Sequence, residues 1–300
     1  MTRSAPVSSL RAFLVACTGI AIFCCMDAIM KGLGLAIGAY SALLWRSVAG
    51  VGFTGAAWAL TRPHWPSAAL LRLHLGRGVV VAGMASLWFY AITVVPLAEA
   101  IAISFVAPLA AMFLAGLFLG ERVGAPAVAG AVLALAGVGV IIVRKLGQPH
   151  GPDAVIGIAA VLGSAILYAA NLVLQRHQAQ RAGPQEIAFF QTLTVLACLA
   201  LFAPWSARMP EPGHWPLIVA AALFATVSLL LLSWAYARAE AQVLVPTEYT
   251  GFIWLSILGW LFFGEALSWA TLAGAVLIVG GCLIALRPAR RPPTPQEAML

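Results

Sequence analysis

The chain has 300 residues, of which 62% are hydrophobic and 9% charged, and its mean hydropathy is +0.98. A soluble domain carries roughly a quarter charged residues, so a surface this poor in charge needs lipid to cover it, and a soluble enzyme is excluded. The formal charge of +7 comes with no basic patch interleaved with aromatics, which argues for Lys- and Arg-rich cytoplasmic loops rather than nucleic acid binding.

A helix needs about 20 apolar residues to cross the hydrocarbon core. In chain order the apolar runs predict spans over 11–31, 39–60, 78–95, 97–119, 124–143, 154–176, 185–204, 214–237, 241–263 and 268–286. The first run, behind Arg3 and Arg11, exceeds a signal-peptide core and shows no small-x-small cleavage site before Asp27, so it reads as a retained helix. Short links fall at Pro96, Glu121-Arg122 and Glu240. The tail 288–300, with Pro288, Pro292, Pro293 and Pro295, reads as disordered. The expected fold class is therefore an all-α polytopic membrane protein with ten transmembrane helices.

Basic residues set the expected orientation. With the N-terminus inside, Arg3, Arg11, Arg62, Arg72, Arg77, Arg122, Arg176, Arg181, Arg238, Arg287, Arg290 and Arg291 fall on the inner face. Lys31, Arg144, Lys145 and Arg208 fall outside, and Arg46 lies within helix 2. Both termini are thus expected in the cytoplasm of a bacterial cell, with the chain spanning the inner membrane.

A shift of 144 residues lays Leu114–Leu133 on Leu258–Leu277, with ten of twenty positions identical. Leu117-Phe118-x-Gly120-Glu121 repeats as Leu261-Phe262-x-Gly264-Glu265, and Ala129–Leu133 repeats as Ala273–Leu277. The same shift pairs Gly19 with Gly163, Asp27 with Asn171 and Lys31 with Gln175. Shared aliphatic composition explains Ala and Val matches but not a repeated Phe-x-Gly-Glu at a helix end. The expected organisation is a first five-helix repeat over 1–146 and a second over 147–287. Five is odd, so the second half enters from the opposite face and the repeats are inverted around a central cavity. Such halves are the architecture of secondary transporters working by alternating access.

The Leu117–Arg122 and Phe262–Glu265 segments close helices 4 and 9, and each leads into a Gly-rich helix. Together with Ala42-Leu43-Leu44-Trp45-Arg46 in helix 2, they make the chain resemble the EamA-type ten-helix exporters of the drug/metabolite transporter superfamily over roughly residues 11–287. The resemblance implies a two-repeat basket and export of small metabolites. The compact, aromatic-rich chain is further similar to bacterial amino-acid exporters, including those for aromatic amino acids. One departure is that Trp45 and Arg46 map onto Phe189 and Phe190, so the two halves differ chemically there.

Ionisable groups inside a span cost about 2.5–3.5 kcal/mol at the helix centre and need interior partners. Arg46 lies about 5 Å along the axis from the middle of helix 2. It forms either a structural ion pair with Asp27, Glu99 or Glu248, or a clamp for a substrate carboxylate. Ser164, Tyr168, Asn171 and Gln175 share one face of helix 6, and Ser86, Tyr90 and Thr93 one face of helix 3. These stripes either bond neighbouring helices or line an aqueous cavity. Trp88, Trp234, Tyr236, Tyr249 and Trp254 sit near span ends, as interfacial belts or as a pocket wall. The candidate substrate-binding set is thus Arg46, Asp27, Trp88, Tyr90, Glu99, Tyr168, Asn171, Gln175, Trp234, Glu248 and Tyr249. Pro108 and Pro246 are candidate points of bending, and Gly116 and Gly120 fit a close-packing pair.

The sequence holds no Walker A loop, HExxH or nucleophile elbow. His64, His74, His150, His177 and His214 fall in expected loops or at span edges, and the five cysteines lie in apolar runs as packing residues. No cofactor or metal is expected. The partners are the bilayer and a small-molecule substrate, with amino acids the leading candidates and protons on Asp27, Glu99 or Glu248 as coupling ions. Export of other drug-like solutes, a passive channel and an intramembrane enzyme are the alternatives.

Overall fold

A computed structural model describes residues 9–61, 65–107, 110, 125–146, 152–179, 181–236, 238 and 247–285. Among these the chain is helical, without strands. The longer helices are α1 (Ser9–Ile37), α2 (Ala39–Ala59), α3 (Ala68–Val94), α4 (Leu97–Ser104), α5 (Ala125–Leu146), α6 (Pro152–Ala179), α7 (Pro184–Ala200), α8 (Trp215–Tyr236), α9 (Thr250–Phe263) and α10 (Trp269–Ala285). A one-turn helix at Ala203–Ser206 and a 3-10 turn at Pro212–His214 link α7 to α8. Glu121, Pro108, Pro246, Gly116, Gly120 and the tail 288–300 lie outside the described residues.

Helices α1, α3, α6 and α8 are each long and apolar enough to cross a membrane. Their lengths correct the sequence expectation at two places that matter. Helix α1 continues to Ile37 instead of stopping at Lys31, because nothing in Gly32–Ile37 ends a helix until Gly38 adopts φ +86° and turns the chain into α2. Helix α3 begins at Ala68 rather than residue 78. Ser67 caps it by accepting the Leu70 amide at 3.3 Å, so Arg72, His74 and Arg77 ride on the helix and not in a loop. Pro96 ends α3 by holding Val95 extended (φ −119°, ψ 138°), and Gly264, at φ +64°, closes α9.

Five helix pairs run antiparallel in close contact. Helix α5 lies along α10, α1 along α8, α3 along α6, α2 along α7, and α4 against α9. Close approach depends on glycine. A Cβ on Gly137 would sit 2.6 Å from the Gly274 carbonyl oxygen, and one on Gly274 would sit 2.7 Å from the Gly137 oxygen. Gly281 meets the Gly130 carbonyl in the same way. Two further crossings are pinned by serines, Ser164 Oγ donating to the Met84 carbonyl at 3.0 Å and Ser228 Oγ to the Gly19 carbonyl at 2.9 Å. Backbones this near gain dispersion and interhelical hydrogen bonds, the forces available in lipid.

The core runs through Met26, Met30, Leu33, Leu43, Ile92, Leu97, Ile103, Leu255 and Ile278. Val132, Val143, Ile166, Trp260, Leu261 and Val276 face outward. An apolar exterior of this kind suits acyl chains, since a helix pairs the backbone groups of its interior within itself.

Candidate functional site: an open cavity, a buried pair and a polar chain

The bundle has two chemically different ends. At the end formed by the C-termini of α1 and α3 and the N-terminus of α2, a cavity of about 470 Å³ opens. Ser86, Tyr90 and Thr93 line it, so the stripe on helix 3 faces a cavity. Tyr40, Ser41 and Arg208 complete its polar wall. The strand of chain carrying Arg208 is held across α2, its amide donating to Ser41 Oγ at 2.9 Å and its carbonyl accepting from Trp45 Nε1 at 2.9 Å. Tyr40 donates its hydroxyl to the Leu199 carbonyl, tying α2 to α7.

The same end holds a buried ion pair that spacing did not reveal. Lys31 donates to a Glu265 carboxylate oxygen and, at 3.1 Å, to the Val95 carbonyl. The other Glu265 oxygen accepts the Leu97 amide at 2.8 Å. Glu265, the glutamate of the repeated Phe-x-Gly-Glu, thus fastens the α9–α10 link to α1 and to the α3–α4 corner at once. The extension of α1 beyond residue 31 is what carries Lys31 inside.

Deeper in the bundle lie Asp27 and Arg46. Asp27 is buried and accepts Trp88 Nε1 at 3.1 Å. Arg46 lies within electrostatic reach of Asp27. Its guanidinium carbon sits 5.4 Å over the Phe89 ring. The Arg46 Nε is buried with no hydrogen-bond partner among the described residues. A guanidinium that keeps a free donor beside an aromatic face can still take up an acceptor.

At the opposite end a chain of polar side chains bridges α3, α6 and α7. Arg77 Nε donates to Asn171 Oδ1 at 2.8 Å and Arg77 Nη1 to Gln178 Oε1 at 2.5 Å. Gln178 Nε2 bonds His74 Nδ1, and His74 Nε2 lies 2.9 Å from Glu186 Oε1. His74, Arg77, Asn171 and Gln178 are all buried, and Phe190 stacks on the imidazole at 4.9 Å. The expectation that every histidine lies in a loop or at a span edge fails for His74, because α3 starts ten residues early. The Ser67 cap and the absence of any break from 68 to 94 were the signals that would have placed it.

The remaining candidates scatter. Tyr168 donates to Glu248 Oε1 at 3.2 Å, joining α6 to the residues before α9. Asn171 belongs to the polar chain, and Gln175 is half-buried on the same helix. Glu99 stands in the first turn of α4. Tyr249 packs edge-on against Phe105 at 5.1 Å. Trp234 lies between Arg11 and Arg238 (5.9 and 4.4 Å to its ring) at the end opposite the cavity, away from the Asp27–Arg46 pair.

The model of the EamA-like transporter family matches this sequence twice, over residues 10–143 and 155–287. The chain belongs to the EamA-like transporter family. It is a multi-pass membrane transporter. Over 213 residues it is 30% identical to the pseudopaline exporter CntI of Pseudomonas aeruginosa, covering 70% of this chain and 72% of that one. It is also 30% identical over 234 residues to a riboflavin transporter of Rhizobium johnstonii, covering 76% and 73%. Against the aromatic amino acid exporter YddG of Ancylobacter novellus it is 28% identical over 210 residues, covering 68% and 72%. A solved crystal structure, 24% identical, superposes with a TM-score of 0.64 over 94% of this chain and 98% of the other, and so shares the fold.

Proposed function

We propose that this EamA-family transporter exports small amphipathic metabolites, amino acids including aromatic ones foremost, by alternating access across the bacterial inner membrane. In this reading both termini lie in the cytoplasm, and the segments that the family model matches, 10–143 and 155–287, act as inverted five-helix repeats. The observation that carries this proposal is the exchange of contacts under the 144-residue shift. Gly137 against Gly274 becomes Gly281 against Gly130, which is the contact present. Gly163 beside Leu87 in the α3–α6 pair becomes Gly19 beside Leu231 in the α1–α8 pair. The helices that the shift interchanges, α2 with α7, α4 with α9 and α5 with α10, run antiparallel to each other. An operation that swaps antiparallel helices reverses them, so it turns one half upside down in the bilayer.

Two inverted halves can trade conformations, and here the two ends differ as such a cycle requires. One end is open onto a hydroxyl-lined cavity with Arg208 at its mouth, while the other is sealed by the Arg77–Gln178–His74–Glu186 chain. In this arrangement the cavity faces outward. A solute with a carboxylate, an amine and an apolar body fits the pair below it. Arg46 offers its guanidinium fork to the carboxylate, Asp27 offers its charge to the amine, and Phe89 and Trp88 offer aromatic faces. The relatives named for an aromatic amino acid and for riboflavin support an aromatic body in the solute.

The test is uptake and counterflow of labelled Trp, Phe, Met, Thr and riboflavin in proteoliposomes holding the full chain. The expected result is saturable flux of at least one amino acid, accelerated by unlabelled solute on the far side. Arg46→Ala, in a protein that still folds, is expected to lower it at least about tenfold, the scale of one lost charge-assisted contact. Flux of none of these solutes, or flux that rises without saturation, overturns the proposal.

A further inference from the structure

The chain of hydrogen bonds at the closed end has a direction, and the direction constrains where a proton can go. Arginine has donors only, so the Gln178 atom facing Arg77 must be its carbonyl oxygen. The Gln178 amide nitrogen therefore faces His74 and donates, which leaves Nδ1 as an acceptor without a proton. Nε2 must then carry the ring proton and give it to Glu186 at 2.9 Å. The closed arrangement thus needs a neutral His74 in one tautomer, linking Arg77 to Glu186 through Gln178.

We propose that His74 is a proton-binding site of this transporter, and that a proton at its Nδ1 and closure of this end exclude each other. This rests on the transport mechanism above, in which the α3–α6–α7 end opens and shuts. A proton arriving at Nδ1 sets an N–H against the N–H of Gln178. Turning the Gln178 amide over moves the conflict to Arg77, which then faces an amide nitrogen. No rotamer of Gln178 satisfies both neighbours, and a buried donor without an acceptor loses its full hydration. The proton, taken from water and held as imidazolium, therefore favours separation of α6 from α3, and its release permits closure. By linkage, a ligand that binds one state better shifts the population toward that state.

The groups around the ring support this assignment. From α7, Glu186 faces Nε2 and Phe190 covers the ring plane, with Trp58 and Trp65 packed edge-on against Phe190. From α3 comes Arg77, and from α6 come Gln178 and Asn171, with Tyr168 acting electrostatically on Arg77. Arg72, His177 and Arg181, at the same end, are exposed. Glu186 is thus the acidic neighbour in contact with the ring, and it stays bonded to Nε2–H in either protonation state. The site differs from the carboxylates expected to couple protons, since Asp27 is bonded by Trp88 and Glu248 by Tyr168.

Hydrogen–deuterium exchange of the full chain in nanodiscs, at pH 7.5 and 5.5 and corrected for the intrinsic pH dependence of exchange, tests this without any solute. Acidification is expected to speed exchange about tenfold in the first turns of α3 and the last turns of α6, the factor given by losing one charge-assisted hydrogen bond. His74→Gln, which keeps a donor for Glu186 and an acceptor for Gln178 but does not titrate, is expected to abolish the response. An unchanged wild type, a response that persists in His74→Gln, or an equal rise in α5 and α10 overturns the assignment. If the proteoliposome assay finds flux while exchange stays flat, only this site fails. If exchange responds and no tested solute moves, the substrate proposal fails and the proton site stands.

Discussion

Replacing Glu265 by Leu removes the acceptor for two donors at once, the Lys31 ammonium and the Leu97 amide. The Lys31 and Glu265 side chains are 6% and 14% exposed, so water does not step in. Lys31 keeps the Val95 carbonyl at 3.1 Å and the face of the Phe263 ring at 5.3 Å. Stripping one partner from a buried pair costs about 3–5 kcal/mol, whereas Lys31→Met leaves a carboxylate that still holds the Leu97 amide and costs less. The double variant removes both charges but still leaves the Leu97 amide without its acceptor, so it is expected about 1–3 kcal/mol below the wild type, well short of the sum of the two singles. Thermal unfolding of the four proteins in nanodiscs reads the cycle, at roughly 2–4 °C per kcal/mol for a chain of this size. The singles are thus strongly non-additive. Additivity within about 0.5 kcal/mol refutes a direct Lys31–Glu265 pair and with it the role given to the repeated glutamate.

Two further outcomes follow from the packing. Gly137→Ala places a methyl against the Gly274 carbonyl and Ile278, and neither backbone can yield, so a loss of about 1–3 kcal/mol is expected in the same unfolding assay. Gly139→Ala, whose Cβ meets nothing within 4 Å, is expected to leave the midpoint unchanged. Among the described residues Ser86 bonds the Ala82 carbonyl of its own helix, so Ser86→Leu fills the open cavity without breaking a described contact between helices. It is expected to cut saturable flux about tenfold, for an occlusion cost of roughly 1–3 kcal/mol, while thermal stability stays that of the wild type.

Much of the helical frame was legible, because lipid demands apolar runs and satisfied backbones. Ser86, Tyr90 and Thr93 announced a polar face by their spacing, and the structure turns that face onto a cavity. Asp27 and Arg46 stood out because charge is costly at mid-span, and they do lie within electrostatic reach of each other. What stayed hidden depended on helix ends. Lys31 looked like a boundary residue because a basic group usually marks one, yet α1 carries it inward to meet Glu265, 234 positions away. His74 and Arg77 looked like loop residues for the same reason. Their burial depends on Gln178 and Glu186, which no local pattern links to them. Hydropathy reports whether a group belongs in lipid, but not whether a distant side chain neutralises it.

Thr61 and Trp205 stand 144 residues apart, at the ends of α2 and α7, and both are exposed. The central claim, that the two halves are inverted, is tested most directly by making Thr61→Cys and Trp205→Cys in a background with the native cysteines replaced by serine, then treating intact spheroplasts with a membrane-impermeant maleimide. The account predicts that the residue-205 variant reacts at once and the residue-61 variant only after permeabilisation. Labelling of both from the same side of the membrane contradicts it.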